Sequence, residues 1–299
     1  MKKIILLFSF LIVSIAASAQ YSVPQQTSTA MNGDERANLA FAHDFVRDIL
    51  NAGNLDIATH YMSEDFISHN PNVAGSRDSF IEALRTNPLL IQNVGQTTPE
   101  VQFSKNEYVF FMWANFIVNQ MEPAIIYKYN TLELLRIEDG KIVEHWDGAR
   151  KKVAINFGSR ATRDGVYNDS GNLSVREQET HRLGQIEFRD ILQYGHAELA
   201  MEYFAPAYMQ HNMNVPGGRD NFIDFFGGRE LQPLTGEWVT PPTLELVSGN
   251  FYLKFDERFE DDPGNPGQQS AYYRFDMIRV DDGLIQEHWD VAFPNKVPR

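Results

Sequence analysis

The chain has 299 residues, 40 of them acidic against 26 basic, a formal charge of −14 and no cysteine. Without thiols there are no disulfide staples, no thiolate metal sites and no cysteine nucleophiles, and so negative a surface repels nucleic acid and anionic membrane. Hydrophobic residues at 43% and aromatics at 12% fit folded, pocket-forming domains rather than a disordered chain.

In chain order, Lys2 and Lys3 precede the apolar run IILLFSFLIVSIAA and then Ala17-Ser18-Ala19. That order predicts a secretory signal peptide over 1–19, cut after Ala19, and hence an exported protein, periplasmic or extracellular. The run is short for a membrane anchor and no basic stop-transfer cluster follows it, so no membrane partner is expected after cleavage. Losing the two lysines leaves 24 basic against 40 acidic residues, a charge of −16. The remaining roughly 280 residues suit two ordinary domains.

A repeat sets the domain organisation. RDILNAGNLDIATHYMSEDFISHNPNVAGSRDSFI aligns without a gap on RDILQYGHAELAMEYFAPAYMQHNMNVPGGRDNFI, 142 residues later. After one net inserted residue, Glu144-His145-Trp146-Asp147 falls on Glu287-His288-Trp289-Asp290. Such identity predicts a duplicated fold rather than a short solenoid repeat. The expected boundaries are an N-terminal segment over 20–33, domain one over 34–152, a polar linker over 153–173 and domain two over 174–296.

Each copy begins helically. Asp34 and Ser174 are expected N-caps, and Ser174 with Glu177 has capping-box spacing. Phe41, Phe45 and Ile49, and then Phe188, Ile191 and Leu192, keep an apolar stripe, which Gly53 and Gly195 end. A short second helix carries Tyr61 or Tyr203, and a third begins near Arg77 or Arg219, with Arg77-Asp78 and Arg219-Asp220 as its expected caps. Aromatic and β-branched runs then predict strands: EYVFFMWANFIV, AIIYKYNTLELLRI and KIVEHWDG, repeated as NFYLKFDERF, SAYYRFDMIRV and LIQEHWDVAF. Asp139-Gly140 and Asp282-Gly283 read as hairpin turns between the last two. Helices first and antiparallel strands after give an α+β class.

On the last strand, His145 and Asp147 share one face, and Glu144 and Trp146 the other; His288, Asp290, Glu287 and Trp289 repeat this. The His/Asp face is expected to line the hollow of the sheet, where burial raises a carboxyl pKa into the range useful for proton transfer; with the faces reversed, Trp would line the pocket and His/Asp would be a surface pair. The Glu/Trp face is expected to pack outward, against a helix or the other copy. His69-Asn70 and His211-Asn212 make a second polar group, able to orient a carbonyl or to satisfy backbone at a turn. His69, His145 and Asp147 could also compose a metal site, but His-x-Asp alone is weak evidence, and no metal or cofactor is expected. No GxSxG, Walker, HExxH or GxGxxG motif stands in a usable context.

The combination of His-Asn, Gly-x-Arg-Asp-x-Phe and D-G-x-I-x-E-H-W-D resembles the SnoaL-like polyketide cyclase family of the nuclear transport factor 2-like superfamily. The resemblance spans about residues 34–152 and 174–296. It implies tandem cone-shaped α+β barrels, each with N-terminal helices on a strongly curved antiparallel sheet, and an intramolecular pseudo-dimer of the two copies. It also implies cofactor-independent acid–base chemistry, of the aldol-condensation or isomerase type, on a small apolar carbonyl compound. Asp147 and Asp290 would move protons, assisted by His69, His145, His211 and His288. Asn70, Asn212, Trp113, Asp256, Glu133 and Asp276 would line the ligand. Copy two keeps the family pattern more closely and is expected to hold the intact site, copy one being mainly structural. Folds of this kind also serve as binding modules, so a non-catalytic periplasmic module holding a hydrophobic ligand or a protein partner stays open beside the enzyme.

Overall fold

The computed structural model describes residues 26–69, 75–87, 98–118, 126–147, 167–168, 172–212, 214–261, 267 and 269–290. The expected signal peptide, most of the expected linker, and Asn70 lie outside them. After β1 (Gln26–Thr27), helix α1 (Gly33–Phe45) is capped by Asn32, not Asp34: Asn32 Oδ1 accepts from Glu35 N–H at 2.9 Å, and Glu35 Oε2 accepts from Asn32 N–H at 2.8 Å. Asp34, two residues further on, lies inside the first turn, where its charge suits the helix dipole but its side chain is past the capping position. Its counterpart α4 (Val175–Gln185) begins at the expected Ser174–Glu177 capping box. Both helices widen at their ends into a π-turn, Val46–Asn51 and Ile186–Ile191, where Ala52 N–H reaches Arg47 O and Leu192 N–H reaches Glu187 O, each at 3.0 Å.

Short helices follow, α2 (Ala58–Tyr61) and α5 (Ala200–Tyr203). Each runs straight into a strand that the sequence reading missed, β2 (Met62–Ser68) and β9 (Phe204–Gln210). In the first half β3 (Gly75–Ser76) and α3 (Arg77–Thr86) come next, in the second α6 (Arg219–Phe226). Ser76, accepting from Ser79 N–H, caps α3, and Gly218 stands at the cap of α6. The acidic residues expected as caps, Asp78 and Asp220, lie inside the first turn instead, where a negative charge suits the helix dipole.

The first half then lays down β4 (Val101–Lys105), β5 (Tyr108–Val118), β6 (Ile126–Glu138) and β7 (Lys141–Asp147). After β8 (Tyr167–Asn168), the second lays down β10 (Leu244–Ser248), β11 (Phe251–Asp261), β12 (Gln269–Asp281) and β13 (Leu284–Asp290). The Asp-Gly turns are as expected, with φ of 49° and 68° at Asp139-Gly140 and 50° and 72° at Asp282-Gly283, the left-handed pair such a hairpin requires. Strand order is β1-β4-β5-β6-β7-β2-β3 in one sheet and β8-β10-β11-β12-β13-β9 in the other. The α+β class stands, but the sheets are mixed: β1 runs parallel to β4, β8 to β10, β2 to β7 and β9 to β13, the last two pairs joined by long crossovers that each contain a helix. Over the described residues each sheet is open, not a closed barrel.

Each strand sorts its side chains between two faces. In β11, Phe251, Leu253 and Phe255 belong to a core shared with the first half, whereas Tyr252 joins the core beneath the second-half helices. The shared core includes Phe103, Phe110, Met112, Leu134 and Trp146 from one sheet and Phe275, Met277 and Trp289 from the other. Phe103 and Phe251 stack at 6.1 Å, and Trp146 meets Phe255 edge-on at 6.0 Å. Polar ties rim this contact: Ser248 Oγ donates to Ser28 Oγ at 2.9 Å, and Lys105 Nζ lies 2.9 Å from Glu177 Oε1. The helices cover the opposite face of each sheet. Among the described residues no helix is long and apolar enough to cross a membrane.

Candidate functional site

The Glu-His-Trp-Asp strand divides between the two faces. On the sheet-to-sheet side, His69 stacks on Trp146 at 4.5 Å with planes 3° apart, and its Nε2 lies 2.9 Å from Glu144 Oε2. Arg136 Nε donates to the other oxygen, Glu144 Oε1, at 2.6 Å. The second half repeats this arrangement: His211 on Trp289 at 4.6 Å and 4°, His211 Nε2 to Glu287 Oε2 at 3.0 Å, Arg279 Nε to Glu287 Oε1 at 2.7 Å. Burial favours the protonated form of Glu144 and of Glu287, but the histidine and arginine outweigh it and hold both carboxyls below the usual range. These two clamps correct the grouping expected from sequence. His69 and His211 are on the opposite face from His145, His288 and the aspartates, because β2 and β9 end beside the Glu/Trp side of the neighbouring strand.

On the helix side the first half gathers Glu133, His145 and Asp147. Glu133 (β6) and His145 (β7) are both buried, with Oε2 and Nε2 2.5 Å apart. Burial pushes the Glu133 carboxyl up and the nearby His145 pulls it back, leaving it at about 7. For His145, burial favours the neutral ring, but the charges of Glu133 and Asp147 prevail and raise its pKa. The surroundings are aromatic. Phe80 meets the His145 ring at 5.2 Å and Phe66 at 5.3 Å, while Trp113 and Phe111 sit 5.3 Å apart on the same face of β5. A carboxyl and an imidazole sharing a proton in such a setting can exchange it with a bound carbonyl compound.

The second half places Asp276, His288 and Asp290 at the equivalent positions, in a different medium. Asp276 is fully buried, with Arg274 Nε at 3.0 Å and Lys254 Nζ at 3.2 Å from its Oδ2; Lys254 also pairs with Asp256. Burial alone would raise the Asp276 carboxyl, but Arg274, Lys254 and His288 hold it far below the carboxylate range. His288 Nδ1 lies 2.5 Å from Glu187 Oε1, which also accepts from Tyr208 Oη at 3.2 Å. Against the burial that favours a neutral ring, Glu187 and Asp290 raise His288 to about 10. Asn212 Nδ2 donates to Asp290 Oδ2 at 2.7 Å, so this expected ligand-lining residue acts on the aspartate.

Glu187, Lys254 and Tyr208 are the contributors that sequence reading missed. Their signal lay in the alignment of the two copies: Glu187 replaces Phe45, Tyr208 replaces Phe66 and Lys254 replaces Phe111. Three aromatic positions of one half are polar in the other.

No family model matches the chain, and no curated protein matches it. Solved structures with some likeness include IdmH from Streptomyces antibioticus, a candidate polyketide cyclase (14% identity, 37% of this chain and 89% of that one, TM-score 0.29). Others are TsrD from Streptomyces laurentii (19%, 38% and 88%, TM-score 0.27) and a nuclear transport factor 2-like protein of unknown function from Mesorhizobium loti (15%, 39% and 93%, TM-score 0.29). Two of these three are described as a polyketide cyclase candidate and a nuclear transport factor 2-like protein. At that level of superposition the likeness decides neither the fold nor the activity of this chain.

Proposed function

We propose that the protein is an exported, tandem pair of small-molecule modules of SnoaL-like type, packed as an intramolecular pseudo-dimer, and that its first module is an acid–base catalyst. Each helix-covered sheet face is read as the wall of a cone-like recess. The observation that carries the catalytic reading is the buried Glu133–His145 pair, with Glu133 poised near neutrality. A base of that pKa takes a proton α to a carbonyl, and the adjacent imidazolium stabilises the developing enolate or returns the proton. Asp147 adds the negative charge that keeps the proton in the pair. The reaction class is enolisation leading to isomerisation or intramolecular aldol closure, on a small compound apolar enough to lie among Phe66, Phe80, Phe111 and Trp113.

This shifts the weight from the second copy to the first. In the second, Arg274 and Lys254 lock Asp276 as a carboxylate that a substrate carbon acid cannot protonate usefully. That observation favours the non-catalytic, ligand-binding reading for the second module. The test is solvent deuterium exchange into a panel of cyclic and aryl ketones, followed by mass spectrometry. Glu133→Gln should abolish exchange while Asp290→Asn preserves it. Exchange that survives Glu133→Gln and fails in Asp290→Asn would return the chemistry to the second copy; no exchange with any ketone would leave binding alone.

A further inference from the structure

The two His–carboxylate groups differ in how the imidazole is engaged. In the first half His145 Nε2 is taken up by Glu133 at 2.5 Å. In the second, His288 Nε2 has no hydrogen-bond partner among the described residues, although the residue is only 3% exposed. It points between two carboxylates, 3.8 Å from Asp276 Oδ1 and 3.7 Å from Asp290 Oδ2, both too far for a hydrogen bond. Asp290 Oδ1 is likewise buried without a hydrogen-bond partner. A buried imidazole nitrogen left unengaged is costly unless something else meets it.

The groups behind these three residues are arranged as supports. His288 is held through its other nitrogen by the Glu187 carboxylate, and Asp290 through Oδ2 by the Asn212 amide. Carboxylate-to-histidine support of this kind fixes the ring and makes the remaining nitrogen a better donor. Four carboxylates, of Glu187, Asp256, Asp276 and Asp290, gather here with two basic side chains, Lys254 and Arg274. With a neutral imidazole the cluster therefore carries two negative charges in excess. The basic pair acts mainly on Asp276 Oδ2, while Oδ1, which also takes a 3.2 Å bond from Arg274 Nη2, is the oxygen turned toward His288.

We propose that Asp276, His288 and Asp290 form a binding site for a divalent transition-metal ion, with Glu187 and Asn212 as its supporting shell. A doubly positive ion offsets the two carboxylates that the basic side chains leave in excess. One imidazole nitrogen and two carboxylate oxygens suit zinc, manganese or ferrous iron rather than a soft cuprous ion. All three donor atoms lie within 4.8 Å of one another, and three protein ligands leave positions for an oxygen-bearing small molecule. The first half lacks this preparation, since Phe45 stands where Glu187 would support the ring. A metal ion here departs from the metal-free expectation, and its binding is independent of the chemistry proposed for Glu133.

The test is Mn²⁺ titration of the metal-stripped full chain, reading loss of the free-ion electron paramagnetic resonance signal, with Zn²⁺ as competitor. Wild type should take up one equivalent that Zn²⁺ displaces. Asp290→Asn should lose it, Glu187→Gln should weaken it about 10–100-fold, and Asp147→Asn should keep it. Should Asp290→Asn fail to fold by circular dichroism, Asn212→Ala, which leaves all three ligands in place, should still weaken binding. No uptake of either ion by wild type overturns the proposal, as does an isotherm unchanged in Asp290→Asn and Glu187→Gln, or one lost in Asp147→Asn instead.

Discussion

The proton shared by Glu133 and His145 has a thermodynamic signature. Folded Glu133 holds its proton up to about pH 7, whereas a carboxyl in the unfolded chain releases it near 4.5. Between those values the folded state binds more protons, so the contribution is complete below 4.5 and is lost as pH rises through 7. One proton gives a slope approaching about 1.4 kcal/mol per pH unit. Urea midpoints at pH 5, 6 and 7 should fall for wild type, and Glu133→Gln should remove that share of the fall. The clamp residues act differently. His69→Ala should cost about 1–3 kcal/mol by urea denaturation through the lost stacking and the half-satisfied Glu144, without altering ketone exchange. At this scale the sequence was informative about which residue types carry polarity, and silent about partners. Glu144 and His145 are neighbours in the chain, yet one braces a sheet contact and the other faces the helices. Only the alternation of the strand hinted at that, and it could not say which face was which. Glu187 was hidden inside an apolar helical stripe.

Strands that the sequence announced were those with dense aromatic and β-branched runs, β5 to β7 and β11 to β13. Short β4 and β10 were concealed, and so were β2 and β9, which begin directly after a short helix and carry mixed residues such as SED and APA, with no clean alternation. Their parallel pairing follows from a contact across some eighty residues, beyond any local signal. The capping box at Ser174–Glu177 was legible, whereas the equally complete one at Asn32–Glu35 was passed over because Asp34, a competing short polar residue, stands two places on. Packing between elements offers a sharp test. A Cβ added at Gly184 of α4 would meet the Tyr252 ring of β11 at 2.5 Å. Gly184→Ala should therefore destabilise the second half by about 1–3 kcal/mol through overpacking, outweighing the helix propensity gained. Thermal unfolding compared with that of wild type measures it, and a rise in stability would mean that α4 does not approach the sheet this closely.

Helices, sheet, sheet and helices follow one another through the molecule, and the middle contact belongs to both halves at once. Phe103, Trp146, Phe251 and Phe255 lie in one core, so the halves are expected to unfold together. Calorimetry should give a single transition with matching calorimetric and van't Hoff enthalpies, and Phe103→Ala should lower it by about 3–5 kcal/mol; two resolved transitions would contradict the shared core. The recurrence of residues between the halves was plain in the sequence. Which faces meet was not, because a strand pattern fixes the period of its side chains and not what covers each side.

Each clamp meets the other half across the sheets, Trp146 against Phe255 and Trp289 donating to Glu100, and this limits how the halves can vary. A substitution at Trp146 or Trp289 must fit a neighbour supplied by the other copy, whereas a substitution on a helix-covered face answers only to its own half. The helix-covered faces lie on opposite sides of the paired sheets, so the recesses proposed for them would be turned away from each other. A compound released from one would reach the other only through bulk solvent, and the proposed modules would work on different molecules without competing. The chain is joined at its back and free to specialise at its two fronts.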